Sequence, residues 1–99
     1  MPKKALRSKK VKWRAHGKQW CITFLPKIKC GGEPLDGVCF YADYEIQLST
    51  HTHQSRRIAI VIHEGLHALF PDLRDSVVDK ASAKLAKLIK LSIMKGYIK

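Results

Sequence analysis

The sequence predicts an α+β fold in which a small antiparallel β-sheet of about three or four strands is followed by two helices. The first half contains short stretches rich in β-branched and aromatic residues, separated by turn-forming residues. The second half contains two longer stretches in which apolar residues recur every three or four positions. Ninety-nine residues are enough for one modest hydrophobic core, so we expect a single domain over residues 11–99.

The strands are predicted from two hairpin patterns. Residues 11–14 and 20–25 are strand-like and flank a turn at His16-Gly17-Lys18. Residues 38–41 and 45–49 form a second pair, and the alternation of apolar and polar residues in 45–49 predicts one buried face. Residues 26–37 between the pairs are rich in glycine and proline, which predicts an exposed loop.

The first helix is predicted over residues 54–70, after a polar connection that supplies several possible N-caps and before Pro71. At about 100° per residue, one broad apolar stripe forms and is predicted to face the core. This stripe contains Ile58, Val61, Ile62, Gly65, Leu66 and Leu69.

The second helix is predicted over residues 76–95. The short connection at 72–75 predicts that the two helices are antiparallel neighbours or a bent pair. The predicted core stripe contains Val78, Ala81, Leu85, Leu88, Ile89 and Ile93, and the opposite face carries Lys80, Lys84 and Lys87.

The net charge of +11 predicts attraction to polyanions and carries no information about the fold. Residues 1–10 read as a basic flexible arm, and nucleic acid is one partner that such an arm is able to contact. A solvated tail is the alternative, because no recognised nucleic-acid-binding motif accompanies the charge.

The cysteines and the hydropathy pattern bear on the compartment. Three cysteines without a CxxC pair argue against a disulfide framework and favour a reducing cytoplasm, that of the host if the chain is phage-encoded. The first residues lack the apolar region of a secretory signal, and no run approaches the ~20 apolar residues of a membrane span. We therefore expect no membrane partner.

The chemistry is concentrated in His63-Glu64-Gly65-Leu66-His67, a His-Glu-x-x-His motif on the first predicted helix. Positions i and i+4 lie one above the other on a helix, so both histidines are able to hold one zinc ion. Glu64 lies about 100° round the helix from His63, where it is placed to act on a metal-bound water. Catalytic zinc takes three protein ligands and a water, so one further ligand is needed.

The third ligand is sought among the acids of the second helix, Asp72, Asp75 and Asp79. Asp72 and Asp75 lie where helix caps are expected, which gives each another role. Asp79 lies one turn inside the helix, beside small residues that permit close helix packing, and is the predicted ligand. The alternative for Asp79 is an i,i+4 partner of a surface lysine.

The motif and the following Ala68-Leu69-Phe70-Pro71-Asp72-Leu73, with an acid at 79, resemble the small SprT-like metallopeptidases of phages and prophages. These are minimal zincins, and the resemblance covers roughly residues 37–90. It implies hydrolysis of a peptide or protein substrate, with Zn²⁺ held by His63, His67 and Asp79 and with Glu64 as general base. Relatives typically carry glutamate where this chain has Asp79.

The resemblance also implies that the strand at 45–49 offers its edge to an extended substrate. Tyr44, His51 and His53 are the residues considered for stabilising an oxyanion. Two other functions compatible with the sequence are a zinc-stabilised module without catalysis and a basic nucleic-acid-binding module of phage origin. The sequence does not indicate the oligomeric state.

Overall fold

Six strands and two helices follow one another along residues 9–30 and 32–99, the part of the chain that the computed structural model describes. The elements are β1 (Lys9–Ala15), β2 (Lys18–Leu25), β3 (Ile28–Cys30), β4 (Glu33–Leu35), β5 (Gly37–Phe40), β6 (Glu45–Ser49), α1 (Gln54–Leu69) and α2 (Asp75–Met94). The α+β class, a four-stranded sheet and two successive helices are thus confirmed. Residues 1–8 of the predicted arm lie outside the described residues, whereas residues 9 and 10 belong to β1.

The main sheet has the strand order β1-β2-β6-β5 and is mixed, not antiparallel throughout as predicted. The two predicted hairpins, β1 with β2 and β5 with β6, are antiparallel, but β2 and β6 run parallel. A parallel pair needs a crossover connection, and residues 26–44 provide it. Because β6 is paired on both sides, the prediction that residues 45–49 offer a free edge is wrong; the edge strand beside them is β5.

The segment 26–37 is more structured than the predicted exposed loop. Its strands β3 and β4 form a separate two-stranded antiparallel sheet, in which Ile28 pairs with Leu35. Ile28 is buried, and it anchors this small hairpin to the domain. Much of the predicted loop is therefore a hairpin.

The core lies between the main sheet and α1. Trp20, Ile46, Leu48 and Ala68 form its buried centre, and Ile60 packs against them. The row Ile60, Glu64 and Ala68 packs towards the sheet, and its last two members are the buried residues of α1. Val61 of the predicted stripe is 52% exposed and, with Gly65, borders a cavity against the sheet. The stripe is displaced because α1 contacts two neighbours, the sheet on one side and α2 on the other.

The second helix packs on α1 in the predicted antiparallel sense, with Asp75 near His67 at one end and Lys90 donating to the Ser55 carbonyl oxygen at the other. Its buried residues are Val78, Ser82 and Ala86. Of the predicted core stripe, Leu85, Leu88 and Ile93 are exposed, so that prediction is wrong for these residues. Within the described residues, neither helix has the length and apolar character required to cross a membrane.

Candidate metal centre

Helix α1 brings the two predicted histidines together on the side that faces α2. The Nε2 atoms of His63 and His67 are 3.1 Å apart, and the rings meet nearly edge to face. A hydrogen bond between them requires one ring to donate and the other to accept. Two nitrogens that ligate one tetrahedral zinc at about 2.0–2.1 Å would be roughly 3.3 Å apart, so the observed separation also fits a shared ion.

The environment of His63 favours its neutral form. Burial and the neighbouring His67 lower its pKa below the usual 6.5, while Asp79 and Asp75 act in the opposite direction. A neutral imidazole is the form that binds metals, and loss of the proton need not accompany binding near neutral pH. His63 is therefore prepared for ligation in the protonation state that a metal requires.

Asp79, the predicted third ligand, lies beside the histidine pair but on the Nδ1 side of His63, not on the side where the two Nε2 atoms meet. Its Oδ1 is 3.3 Å from Nδ1 of His63, the ring nitrogen that does not face His67. Ligating histidines commonly donate their second ring N–H to a carboxylate, which fixes the tautomer and the ring orientation. The contact gives Asp79 this orienting position, away from the Nε2 atoms that a metal would join.

Asp75 lies on the Nε2 side instead. Its Oδ1 is 3.7 Å from Nε2 of His67, and it borders the same cleft as Glu64. The expectation that it caps α2 is wrong, because Arg74 is the N-cap and Asp75 is the first helical residue. Its charge still suits the first turn of a helix, and its largely exposed side chain is free to reorient. Asp72 is exposed in the turn between the helices.

A complete ligand set is not gathered in the described residues, since no three His, Cys, Asp or Glu side chains among them lie close enough to hold a metal ion. The fold brings two imidazole nitrogens together with two carboxylates. Asp79 lies next to Nδ1 of His63, and Asp75 lies next to Nε2 of His67. These donors fit zinc in chemical type. Ligation by a third residue requires Asp75 to move from its present contact.

Glu64 is on the sheet side of α1, next to the histidine pair. It is only 6% exposed, and this burial raises the pKa of its carboxyl from 4.5 to about 7. A carboxyl with such a pKa both accepts and releases a proton near neutral pH, as a general base and acid must. The structure thus places the predicted catalytic residue in a suitable environment.

Gly37, the first residue of β5, creates the space for Glu64. A Cβ atom at Gly37 would lie 3.0 Å from Cγ of Glu64 and 3.1 Å from Cγ2 of Ile60, so glycine is needed here for close approach. The predicted loop over residues 26–37 includes Gly37 and assigns it no such role. The available signal was a glycine immediately before a strand-like run.

Polar contacts hold β5 in register with the start of α1. The Thr52 hydroxyl donates to Oδ1 of Asp36 at 2.9 Å, and Arg56 of α1 pairs with Oδ2 of the same carboxylate. Arg57 donates to the carbonyl oxygens of Thr50 and Thr52 at 2.7 and 2.9 Å. Because Asp36 directly precedes Gly37, these bonds fix the strand edge next to α1.

An open cleft of about 340 Å³ lies between β5 and the helices. It is lined by Gly37, Val38, Cys39, Tyr41, Glu64, His67 and Asp75. Burial, and to a smaller extent the charge of Glu64, raise the pKa of the Cys39 thiol to about 11, so the thiol stays protonated. Burial and the nearby acidic groups also raise the pKa of Tyr41, which keeps its hydroxyl a hydrogen-bond donor.

Tyr41 is the second site residue that the sequence analysis missed. The three residues considered for an oxyanion role lie elsewhere. Tyr44 packs edge-on against Trp20, with ring centroids 5.4 Å apart. His53 caps α1 by accepting from the Ser55 N–H at 3.2 Å, and His51 borders a different cleft. The hairpin turn at 41–44 thus directs Tyr41, not Tyr44, towards the site.

Comparison of the chain with protein-family models, curated proteins and solved structures gives no significant match.

Proposed function

We propose that the protein is a zinc-dependent metallopeptidase of the minimal SprT-like type, with His63 and His67 as metal ligands and Glu64 as general base. The observation that carries this proposal is the meeting of the two Nε2 atoms at 3.1 Å beside a buried carboxyl, at a cleft that His67, Glu64 and the edge strand β5 line. A chance His-Glu-x-x-His match on a helix requires neither the buried carboxyl nor the cleft at a strand edge.

The contacts support a revised ligand assignment. Asp75 is the third ligand, because it lies on the Nε2 side of His67, and Asp79 orients His63 through Nδ1. When bound, zinc would lower the pKa of a water towards ~7 and polarise the scissile carbonyl. The original assignment of Asp79 as ligand is the alternative that mutagenesis of both acids distinguishes.

The residues of the chain supply the proton transfers and the electrostatic stabilisation. Glu64, with a pKa of about 7, accepts a proton from the attacking water and returns it to the leaving amine. Tyr41 supplies a hydroxyl donor on the cleft wall for the charge that develops on the carbonyl oxygen. Donors of this kind contribute most when they are in place before the reaction.

The substrate is proposed to bind as an additional strand. β5 is at the edge of the sheet and lines the cleft through Gly37, Val38 and Cys39. An extended peptide is able to pair with the backbone of such an edge, which favours protein segments that are already unfolded. The proposed location is the cytoplasm, where the free thiols of Cys21 and Cys39 are compatible with the reducing conditions.

The test compares the zinc-loaded wild type with Glu64→Gln on an unfolded protein substrate such as casein. We expect the wild type to cleave and the variant to retain zinc without cleaving, because glutamine cannot accept the proton. Equal cleavage by both proteins would point to a contaminating peptidase. Zinc binding without cleavage by the wild type would support the alternative of a zinc-stabilised module without catalysis.

Nucleic-acid binding is retained as a second candidate because of β1. Lys10, Lys12 and Arg14 are exposed and alternate along this edge strand, so they share one face of the sheet. Its test is a salt titration of DNA affinity for the full chain and for a chain lacking residues 1–8, which leaves β1 whole. Affinity absent at low salt would exclude this function, and affinity unchanged by the deletion would exclude a contribution of the arm.

A further inference from the structure

Helix α2 carries an apolar seam that nothing in the described part of the chain covers. Val77, Leu85 and Leu88 are 45%, 41% and 59% exposed, and Ala81 lies between them. These positions follow one another at intervals of four, four and three residues, so they form one stripe about 16 Å long. The same spacing is found where helices pair by interlocking their side chains.

The seam is separate from the surface that holds α2 in the domain. The helix packs on α1 through Val78, Ser82 and Ala86, and the seam lies to the side of that row. Contiguous apolar surface of this kind on a small domain commonly marks an interaction site. The residues that line the metal cleft do not include any of the seam residues, so the seam is not explained by the proposed catalysis.

A row of uncompensated positive charge runs beside the seam. Lys80, Lys84 and Lys87 are exposed and lie at positions i, i+4 and i+7, on one flank of the stripe. The two acids of the helix, Asp75 and Asp79, are in contact with the histidines instead. No ion pair within residues 9–30 and 32–99 includes these three lysines.

The apolar seam and the lysine row together indicate which kind of partner would bind. A second copy of α2, paired antiparallel about a twofold axis, would place each lysine row against the same row of its partner, where the like charges repel. The net charge of +11 adds to this repulsion. A helix that lies in a membrane surface presents a broad apolar face with aromatic anchors. This seam is narrow, and Ala81 makes a depression in its middle that suits a side chain of another helix.

We propose that Val77, Ala81, Leu85 and Leu88, with Lys80, Lys84 and Lys87, dock an amphipathic helix of an acidic partner protein. The apolar residues of that helix fill the seam, and its Glu or Asp residues lie opposite the lysine row. Apolar contact provides most of the affinity, and the charges select the partner and its orientation. The proposal does not depend on peptidase activity.

The test uses the full chain and three synthetic helical peptides as probes. The first has a leucine seam flanked by glutamates, the second replaces the glutamates by lysines, and the third keeps the glutamates but replaces the leucines by serines. Binding is measured by fluorescence anisotropy at physiological salt. We expect the first peptide to bind at least about tenfold more tightly than either of the others.

Matched variants locate the binding surface. Leu88→Ser is expected to weaken binding of the first peptide about tenfold. Met94→Ser changes an even more exposed residue outside the seam and should leave this affinity unchanged. Lys84→Glu should shift the preference towards the lysine peptide. Lys12→Glu makes the same charge change on β1 and should not shift it.

Four results would overturn the proposal. Equal binding of the serine peptide, or equal effects of Lys84→Glu and Lys12→Glu, would show that unspecific charge attraction is sufficient. A stable wild-type dimer in sedimentation, made monomeric by Leu88→Ser, would assign the seam to a second copy of the chain. Binding to phosphatidylserine vesicles through Leu88, without any preference among the peptides, would assign it to a membrane surface.

Discussion

Replacing Glu64 by glutamine is expected to change how the stability of the metal-free protein depends on pH. The Glu64 side chain is buried, and burial raises its pKa from 4.5 to about 7. Between these values the folded protein keeps a proton that the unfolded chain releases. The stability contributed by the protonated carboxyl is therefore fully present below pH 4.5 and is lost as the pH rises through about 7.

The size of the effect follows from the two pKa values. Each pKa unit corresponds to 1.36 kcal/mol, so the difference between 4.5 and about 7 lowers the free energy of unfolding by about 3 kcal/mol above pH 8. Glutamine is neutral throughout and loses nothing over this range. His63, whose pKa is lowered, gains stability as the pH rises, but it is present in both proteins and cancels in their comparison.

The assay is urea denaturation of the wild type and Glu64→Gln between pH 5 and 8.5, with a chelator present to exclude metal. The difference between their free energies of unfolding should grow in favour of the variant as the pH rises, by an amount on the order of 2–3 kcal/mol. Glu33→Gln removes an exposed carboxylate from β4 and serves as the matched control. Parallel pH profiles for the wild type and Glu64→Gln would refute the role assigned to burial.

Further substitutions test the surroundings of the site. Gly37→Ala should destabilise the fold by about 1–3 kcal/mol in urea, because its Cβ would crowd Glu64. Gly65→Ala, which meets nothing within 4 Å in the described structure, should stabilise α1 by about 0.5–1 kcal/mol; effects of the same sign would contradict one of these two predictions. Tyr41→Phe should lower kcat by about 10²–10³ while zinc content is retained, and an unchanged kcat would remove Tyr41 from the mechanism. In a competitive chelator titration, Asp79→Asn should weaken zinc binding about 10–100-fold and Asp75→Asn should weaken it more, and the reverse order would return the ligand role to Asp79.

The elements that depend on local sequence were predicted well. The predicted helices at 54–70 and 76–95 differ by one residue at most at each end from Gln54–Leu69 and Asp75–Met94. The first hairpin was found because His16 and Gly17 tolerate the positive φ angles of 52° and 71° that a tight turn requires. These features need only neighbours along the chain, which a sequence displays directly.

The features that were missed depend on which elements meet in space. Alternation in residues 45–49 indicates a strand, but not that it lies parallel to β2 and has no free edge. The core stripe of α1 was misplaced because an apolar pattern does not distinguish a helix with one neighbour from a helix with two. Leu85 and Leu88 are exposed, contrary to the prediction, because α1 covers only the row Val78, Ser82 and Ala86, which is narrower than the apolar pattern of α2.

The candidate site shows the same division. The placement of His63, Glu64 and His67 together follows from the sequence, because four-residue spacing on one helix fixes their relation. The different positions of Asp75 and Asp79 relative to the histidines depend on how α2 approaches α1. The two acids are one helical turn apart, so each contacts a different imidazole nitrogen. Tyr41 belongs to the strand side of the cleft, where no sequence motif connects it to the helix.

Zinc binding by the histidine pair is the most direct test of the central claim. Protein stripped of metal by a chelator and titrated with Zn²⁺ in a calorimeter should bind about one ion per chain. His63→Ala and His67→Ala should each abolish this binding, whereas Glu64→Gln should preserve it. A wild type that binds no zinc, or alanine variants that bind as tightly as the wild type, would contradict the metal centre and the peptidase function proposed from it.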